Sequence, residues 1–121
     1  MDFLENNSCL QELNLSENKI KDITSLKFLK NNSCLEYLCL CDNQIKDITS
    51  LEFLENNSCL HELNLSFNQI KDITLLKFLK NNSCLNILYL GINSISLQDI
   101  QKIMELYKLK RKENLDFYLF I

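Results

Sequence analysis

The sequence predicts an α/β solenoid, a stack of coils of about 25 residues. Each coil adds one strand to a parallel β-sheet on the concave side and one short helix to the convex side. Three observations carry this. The phrase FLKNNSCL at 28–35 returns at 78–85, with the near-copy FLENNSCL at 3–10 and 53–60, so Leu10, Leu35, Leu60 and Leu85 recur at a step of 25. Leu13 and Leu15 alternate with Asn14 and Ser16, the period-two signature of a strand with one buried face. Ile23, Leu26 and Leu29 then recur every third residue, as on one stripe of a short helix.

Taken in order, MDFLENNS reads as the back half of a helix, so residues 1–9 are expected to cap the first strand. Repeats start at 10, 35, 60 and 85 with LQELNLSENKI, LEYLCLCDNQI, LHELNLSFNQI and LNILYLGINSI. Their shared frame, L-x-x-L-x-L-x-x-N-x-I, places Asn18, Asn43, Asn68 and Asn93 where the chain turns inward. An amide there offers both a donor and acceptors to the backbone of adjacent coils. Asp22 or Thr24 is expected to cap the outer helix and Asn32 to stop it. Phe28, off the apolar stripe, is expected to form a row with Phe3, Phe53 and Phe78.

Charges repeat too. Glu5, Lys30, Glu55 and Lys80 alternate in sign at one position, and Lys27, Glu52 and Lys77 at another, which predicts ion pairs between coils on a solvated face. Residues 96–121 depart from the repeat. Ser96-Leu97-Gln98-Asp99 resembles a capping box, and Leu97, Ile100, Ile103, Met104 and Tyr107 mark a longer amphipathic helix. A basic turn, KLKRKEN, is expected to lead to a fifth strand in LDFYLFI, with Leu115, Phe117 and Leu119 inward and an uncovered apolar edge.

This frame, repeated four times in register, resembles the leucine-rich repeat family. The run from Leu29 through Asn32 to Leu35 is similar to the ribonuclease-inhibitor-like subclass, which usually carries about one more helical turn per repeat. NKIKDIT is similar to the shorter internalin type. The outer elements are therefore expected to be stubby helices or 3₁₀ turns. The resemblance implies a curved horseshoe whose inner sheet binds other proteins.

The length suits one domain spanning 1–121, and apolar residues, 46% of the chain, are ample for a core. No apolar run approaches the ~20 residues of a membrane span, and the N-terminus lacks a secretory pattern. Net charge is −3 with both signs interspersed, which disfavours nucleic acid. Six Asn-x-Ser sequons, at Asn6, Asn14, Asn31, Asn56, Asn64 and Asn81, would crowd a compact fold if glycosylated. A cytoplasmic protein with free thiols is expected. The chain has no Ala, Val, Pro or Trp and one Gly, while residues with AT-rich codons abound, which points to an AT-rich genome such as that of a protist or large virus.

Cys9, Cys34, Cys59 and Cys84 step along the axis one per coil, so they do not converge as zinc ligands must. They are read as small residues filling a corner between helix and strand. Cys39 and Cys41 replace the Asn and Ser of repeats one and three and face the concave side. A thiol or soft-metal role for them is the third-ranked functional reading, behind drift at two solvent positions. The Asp22, Asp47 and Asp72 row is explained by capping rather than calcium, and Ser, Asp and the lone His61 form no nucleophile–base arrangement. The expectation is no catalytic residue, no metal and no cofactor.

Function is expected on the concave sheet, where the first repeat is polar and acidic and the later ones aromatic and aliphatic. Tyr37, Phe67, Ile87, Tyr89, Ile92 and Tyr118 are apolar at positions that face water, as protein interfaces tend to be. Five strands at ~4.8 Å and about five residues at ~3.3 Å cover roughly 400 Å², half of the about 800 Å² per partner of a standard interface. The partner is therefore expected to be a peptide, or a protein that also uses the flanking loops. Self-association through the 115–121 edge is the alternative.

Overall fold

The computed structural model describes residues 8–80, 82, 84–113 and 117–121, without the side chains of 78–80 and 113. Five short strands form one sheet in chain order: β1 (Glu12–Asn14), β2 (Tyr37–Cys39), β3 (Glu62–Asn64), β4 (Ile87–Tyr89) and β5 (Tyr118–Phe120). All pairs are parallel. The register runs Glu12↔Tyr37↔Glu62↔Ile87, one repeat per step, and then Ile87↔Tyr118 across a longer connection. Parallel neighbours need a crossover. Here it is a 3₁₀ helix in the first three cases (Thr24–Asn31, Thr49–Asn56 and Thr74–Lys80) and a 17-residue α-helix, α1 (Leu97–Glu113), in the last.

The 3₁₀ form follows from the spacing. With three residues per turn, Ile23, Leu26 and Leu29 eclipse one another and face the sheet together, and all three are buried. Between the layers stand Leu35, Leu38, Leu40, Ile45, Ile48, Leu51 and Leu54 of one coil and Leu60, Leu63, Leu65 and Ile70 of the next, all buried. Each fully buried leucine contributes about 2 kcal/mol. Leu10, Leu15 and Ile20 of the first coil are only partly covered.

Two asparagine ladders close the coils. Asn43 accepts the Ile20 N–H of the preceding coil at 3.0 Å and donates to the carbonyls of Leu15 (2.9 Å), Leu40 and Cys41 (both 3.1 Å). Asn68 repeats this with Ile45 N–H, Leu40, Leu65 and Ser66, and Asn93 with Ile70 N–H, Leu65 and Leu90. The expected bridging role is thereby met. The second ladder, on the other side of each coil, is built from the second Asn of NNSC. Asn82 donates to the Asn57 carbonyl at 3.0 Å and accepts the Leu85 N–H at 2.9 Å, and Asn57 accepts from Cys59 and Leu60. The recurring phrase is thus a buried turn with a cysteine beside it. Cys34, Cys59 and Cys84 are half-buried and Cys9 is exposed.

Several expectations are refined. Neither Asp22 nor Thr24 is the cap of the first 3₁₀ helix, whose N-cap is Ile23 with no side-chain bond. Asp22 instead folds the turn before it, its carboxylate accepting the Thr24 N–H at 2.8 Å, and Asp47 and Asp72 do the same for Thr49 and Thr74. Asn32 does end that helix, but at φ −92° and ψ 113° it is extended rather than left-handed. Among the described residues the expected inter-coil pairs of Lys27, Lys30, Glu52, Glu55 and Lys77 are not made, and the one ion pair is Lys102–Asp99 at 3.6 Å; the pairs expected of Glu5 and Lys80 lie outside the described residues. Lys27, Lys30, Glu52, Glu55 and Lys77 are exposed, where ordering two long side chains offsets what screened attraction returns. Phe28 is half-buried and Phe53 buried, as a row requires. Phe3, Glu5, Leu115, Asp116 and the side chains of Phe78 and Lys80 lie outside the description, as does most of the expected 1–9 cap.

The C-terminal unit differs most. Ser96 Oγ accepts the Asp99 N–H at 3.2 Å, half of the expected box. The basic segment is no turn, since α1 continues through it to Glu113. Its periodicity explains why: Ile103, Tyr107 and Lys110 fall on one face. Ile103 and Lys110 are buried, whereas Leu97 and Met104, expected on the apolar face, are exposed. The Lys110 ammonium donates to the Asn82 carbonyl and lies 5.5 Å from the centre of the Phe117 ring, so its charge is compensated where it is buried.

Two outcomes follow. Asn68→Ala orphans the buried Ile45 N–H and takes one of two donors from each of the Leu40, Leu65 and Ser66 carbonyls. It should cost about 1–3 kcal/mol in urea unfolding, against less than about 1 kcal/mol for the exposed rung Asn18→Ala; equal losses would contradict the ladder. The Asp47 carboxyl is held below its ordinary range by the Thr49 N–H first and the Thr49 hydroxyl second. Its stabilisation is complete above the unfolded pKa of about 4 and is lost as pH falls through the lower folded value. Asp47→Ala should therefore show a shallower decline of urea midpoint below about pH 4 than the parent; an unchanged decline would remove this turn contact from the account.

Candidate functional site

Strand alternation sends Leu13, Leu38, Leu63 and Leu88 into the core and the residues on either side outward. The parallel register then sorts the outward side chains into rows. One row is Glu12, Tyr37, Glu62, Ile87 and Tyr118, and the next is Asn14, Cys39, Asn64, Tyr89 and Phe120. Beyond the strands, backbone bonds such as Glu17 N–H to the Cys41 carbonyl (3.1 Å) and Phe67 N–H to the Gly91 carbonyl (2.8 Å) carry the register on. They align Ser16, Cys41, Ser66 and Gly91, and then Glu17, Asp42, Phe67 and Ile92.

That last row has a special backbone. Glu17, Asp42, Phe67 and Ile92 have φ of 56°, 54°, 56° and 59°. The left-handed region is costly for bulky side chains and most so for β-branched ones. Phe67 and Ile92 are nonetheless large and exposed there, at 56% and 69% of their surface.

Of the six residues singled out in the sequence, the structure brings five to one end of the face. Ile87 and Tyr118 are direct neighbours in one row, Tyr89 lies in the next, and Phe67 and Ile92 adjoin at the turn. Tyr37 stands apart, separated from Ile87 by Glu62 and tilted toward His61 at 6.3 Å between ring centres. Phe120 was not among the six, yet it stacks on Tyr89 at 4.7 Å with the planes 15° apart. Its alternation with Leu119 in LDFYLFI was the available signal. The Arg111 guanidinium lies 5.2 Å over the Tyr118 ring from α1.

The opposite end is acidic. Glu12, Glu17, Asp42 and Glu62 all stand in the outward rows, and no described position of those rows is Lys or Arg. Glu12, Asn14, Tyr37, Cys39 and Glu62 edge a shallow hollow of about 200 Å³. A larger hollow of about 580 Å³ opens on the convex side between Lys46, Asp47, Glu52, Glu55, Asp72 and Lys77, where the two signs are mixed. Among the described residues no three His, Cys, Asp or Glu side chains are grouped to hold a metal. No helix among them is long and apolar enough to cross a membrane.

Comparison with solved structures relates this arrangement to two internalins of Listeria monocytogenes. InlF shares 34% identity at a TM-score of 0.67 over 88% of this chain, and internalin C2 shares 36% at 0.60 over 77%. The chain spans only 28% and 37% of those two proteins. The actin-binding site 2 segment of leiomodin-1 superposes with a TM-score of 0.73 over 98% of the chain and 74% of that segment, but at 19% identity, a likeness of fold alone. No curated protein gives a significant sequence match. The outer 3₁₀ helices are the shorter of the two expected forms, as in the internalin type. A family model for leucine-rich repeats in two copies matches residues 10–56 and again 35–78, more than half of the chain. The chain belongs to the leucine-rich repeat family, whose repeats are non-enzymatic protein-interaction modules.

Proposed function

We propose that the concave face binds an extended protein segment, with cationic residues over the carboxylates of the first three coils and apolar residues over Phe67 of the third coil and the outward side chains of β4 and β5. The single observation behind this is the segregation of the face. Glu12, Glu17, Asp42 and Glu62 lie at one end with no cation in their rows, and Ile87, Tyr89, Tyr118, Phe120, Phe67 and Ile92 cluster at the other. A like-charged row costs repulsion in the free protein that a basic partner removes. Exposed aromatic side chains supply contact area at small entropic cost. The bulky residues at positive φ point the same way, since strained backbone tends to persist where function needs it. A reducing, cytoplasmic setting suits the unpaired thiols of Cys34, Cys39, Cys41, Cys59 and Cys84.

A second reading is self-association through β5. That strand pairs on one side only, and Tyr118, Phe120 and Ile121 are each about half exposed. Unpaired edges accept further strands.

Peptides selected by display against the protein should pair Lys or Arg with an aromatic cluster, and their affinity should fall with added salt. Replacing Tyr89 and Phe67 by Ser should weaken them at least about tenfold, a loss near 1.4 kcal/mol, with the urea midpoint unchanged. Binding untouched by both substitutions would refute the face. For the second reading, light scattering should show mass rising with concentration in the parent and not in Leu119→Pro, which removes an edge N–H; a parent that stays monomeric disposes of it.

A further inference from the structure

We propose that Cys39 and Cys41 form a dithiol modification site on the concave face, closing reversibly to an intramolecular disulfide by exchange with a small-molecule disulfide. Their sulfurs are 3.3 Å apart although the residues are two positions apart in the chain. The repeat geometry imposes this closeness. At the same two positions Ser16 Oγ donates to Asn14 Oδ1 at 2.6 Å, and Ser66 Oγ donates to Asn64 Oδ1 at 2.5 Å. In the second coil the two thiols replace a side-chain pair that the backbone already presses into contact. Leu40, between them, is fully buried, and its N–H is bonded to the Asn64 carbonyl at 2.9 Å, so both sulfurs are kept on one face.

Two residues of extended chain span about 6.6 Å, inside the upper end of the ~4.4–6.8 Å that a disulfide bridges between Cα atoms. Closure is therefore reachable with a small adjustment, and a strained bond of this kind is easily reduced again. A zinc site is a poorer fit, since it needs four ligands and no described third donor joins the pair.

The exchange balances with glutathione disulfide as oxidant. The Cys39 thiolate attacks one of its sulfurs and expels one glutathione thiolate, leaving a mixed disulfide. The Cys41 thiolate then attacks the Cys39 sulfur and expels the second. The protein loses two electrons and two protons, and two molecules of reduced glutathione carry them away. In the reduced pair, burial first, then its hydrogen bond and charge coupling with Cys39 and the charge of Asp42, push the Cys41 thiol up to about 11, against a lowering contact from Ser16. Around the pair stand the carboxylates of Asp42 and, in the neighbouring coils, Glu17, Glu12 and Glu62, the last two edging the same hollow as Cys39; Asn14, Asn64 and Ser66 are neutral. The site stands independently of whether the face binds a partner.

The test is intact-mass and fragment mass spectrometry of the full chain in glutathione redox buffer. The parent should lose two hydrogens without an adduct, with the link between Cys39 and Cys41, and revert in excess reduced glutathione. Ring closure should accelerate as pH rises, because the attacking group is the thiolate. Cys41→Ser, which restores the residue type of the first and third coils, should stop at a glutathione adduct on Cys39. A parent that keeps the adduct, stays reduced, or links Cys39 or Cys41 to Cys34 instead would overturn the proposal.

Discussion

The buried asparagine at the end of each strand is the constraint on which the solenoid depends. The turn carbonyls of a coil are met by its own asparagine amide and by the backbone of the coil before it. Asn43 supplies donors to its own coil and to the one before, and takes the Ile20 N–H in exchange. Asn68 and Asn93 pass the same bonds forward. Such contacts tie each coil to its neighbour alone, so stability accumulates along one dimension. They also forbid slippage, since a shift of one residue would strand several buried polar groups at once.

With register held inside, the two surfaces are free to diverge. On the convex side the alternating Lys and Glu of successive coils make no ion pairs among the described residues, and their chemistry is that of a solvated face. On the concave side the framework repeats while the outward residues change. Coils one and three present a Ser hydroxyl donating to an Asn carbonyl oxygen, coil two presents two thiols in contact, and coil four presents Tyr89 beside Gly91. Leucines hold the shape, and variation between them writes the surface.

The connection from β4 to β5 departs from the repeat. There α1 replaces the 3₁₀ turn and lays Ile103 and Lys110 over the final layer, while Phe117 fills it from β5. The Lys110 ammonium reaches back to the Asn82 carbonyl, on the ladder through Asn57 and Asn82. A basic side chain thus serves as the terminal rung.

What the sequence by itself determined is how the repeats stack. Leucine spacing, alternation and the invariant Asn were enough to place four strands in register and to name their outward residues, because a local pattern that recurs at a fixed step has one way to stack. The 3₁₀ form was half visible in the period-three stripe of Ile23, Leu26 and Leu29. What does not repeat needed the tertiary structure. The helical run of KLKRKE depends on Lys110 finding a carbonyl and a ring, and the aromatic cluster needs Phe120 placed beside Tyr89 by the longer final connection. The meeting of Cys39 and Cys41 arises from a turn geometry that two isolated letters cannot express. Local periodicity encodes the coil; distances between non-repeating side chains exist only once the coils are stacked.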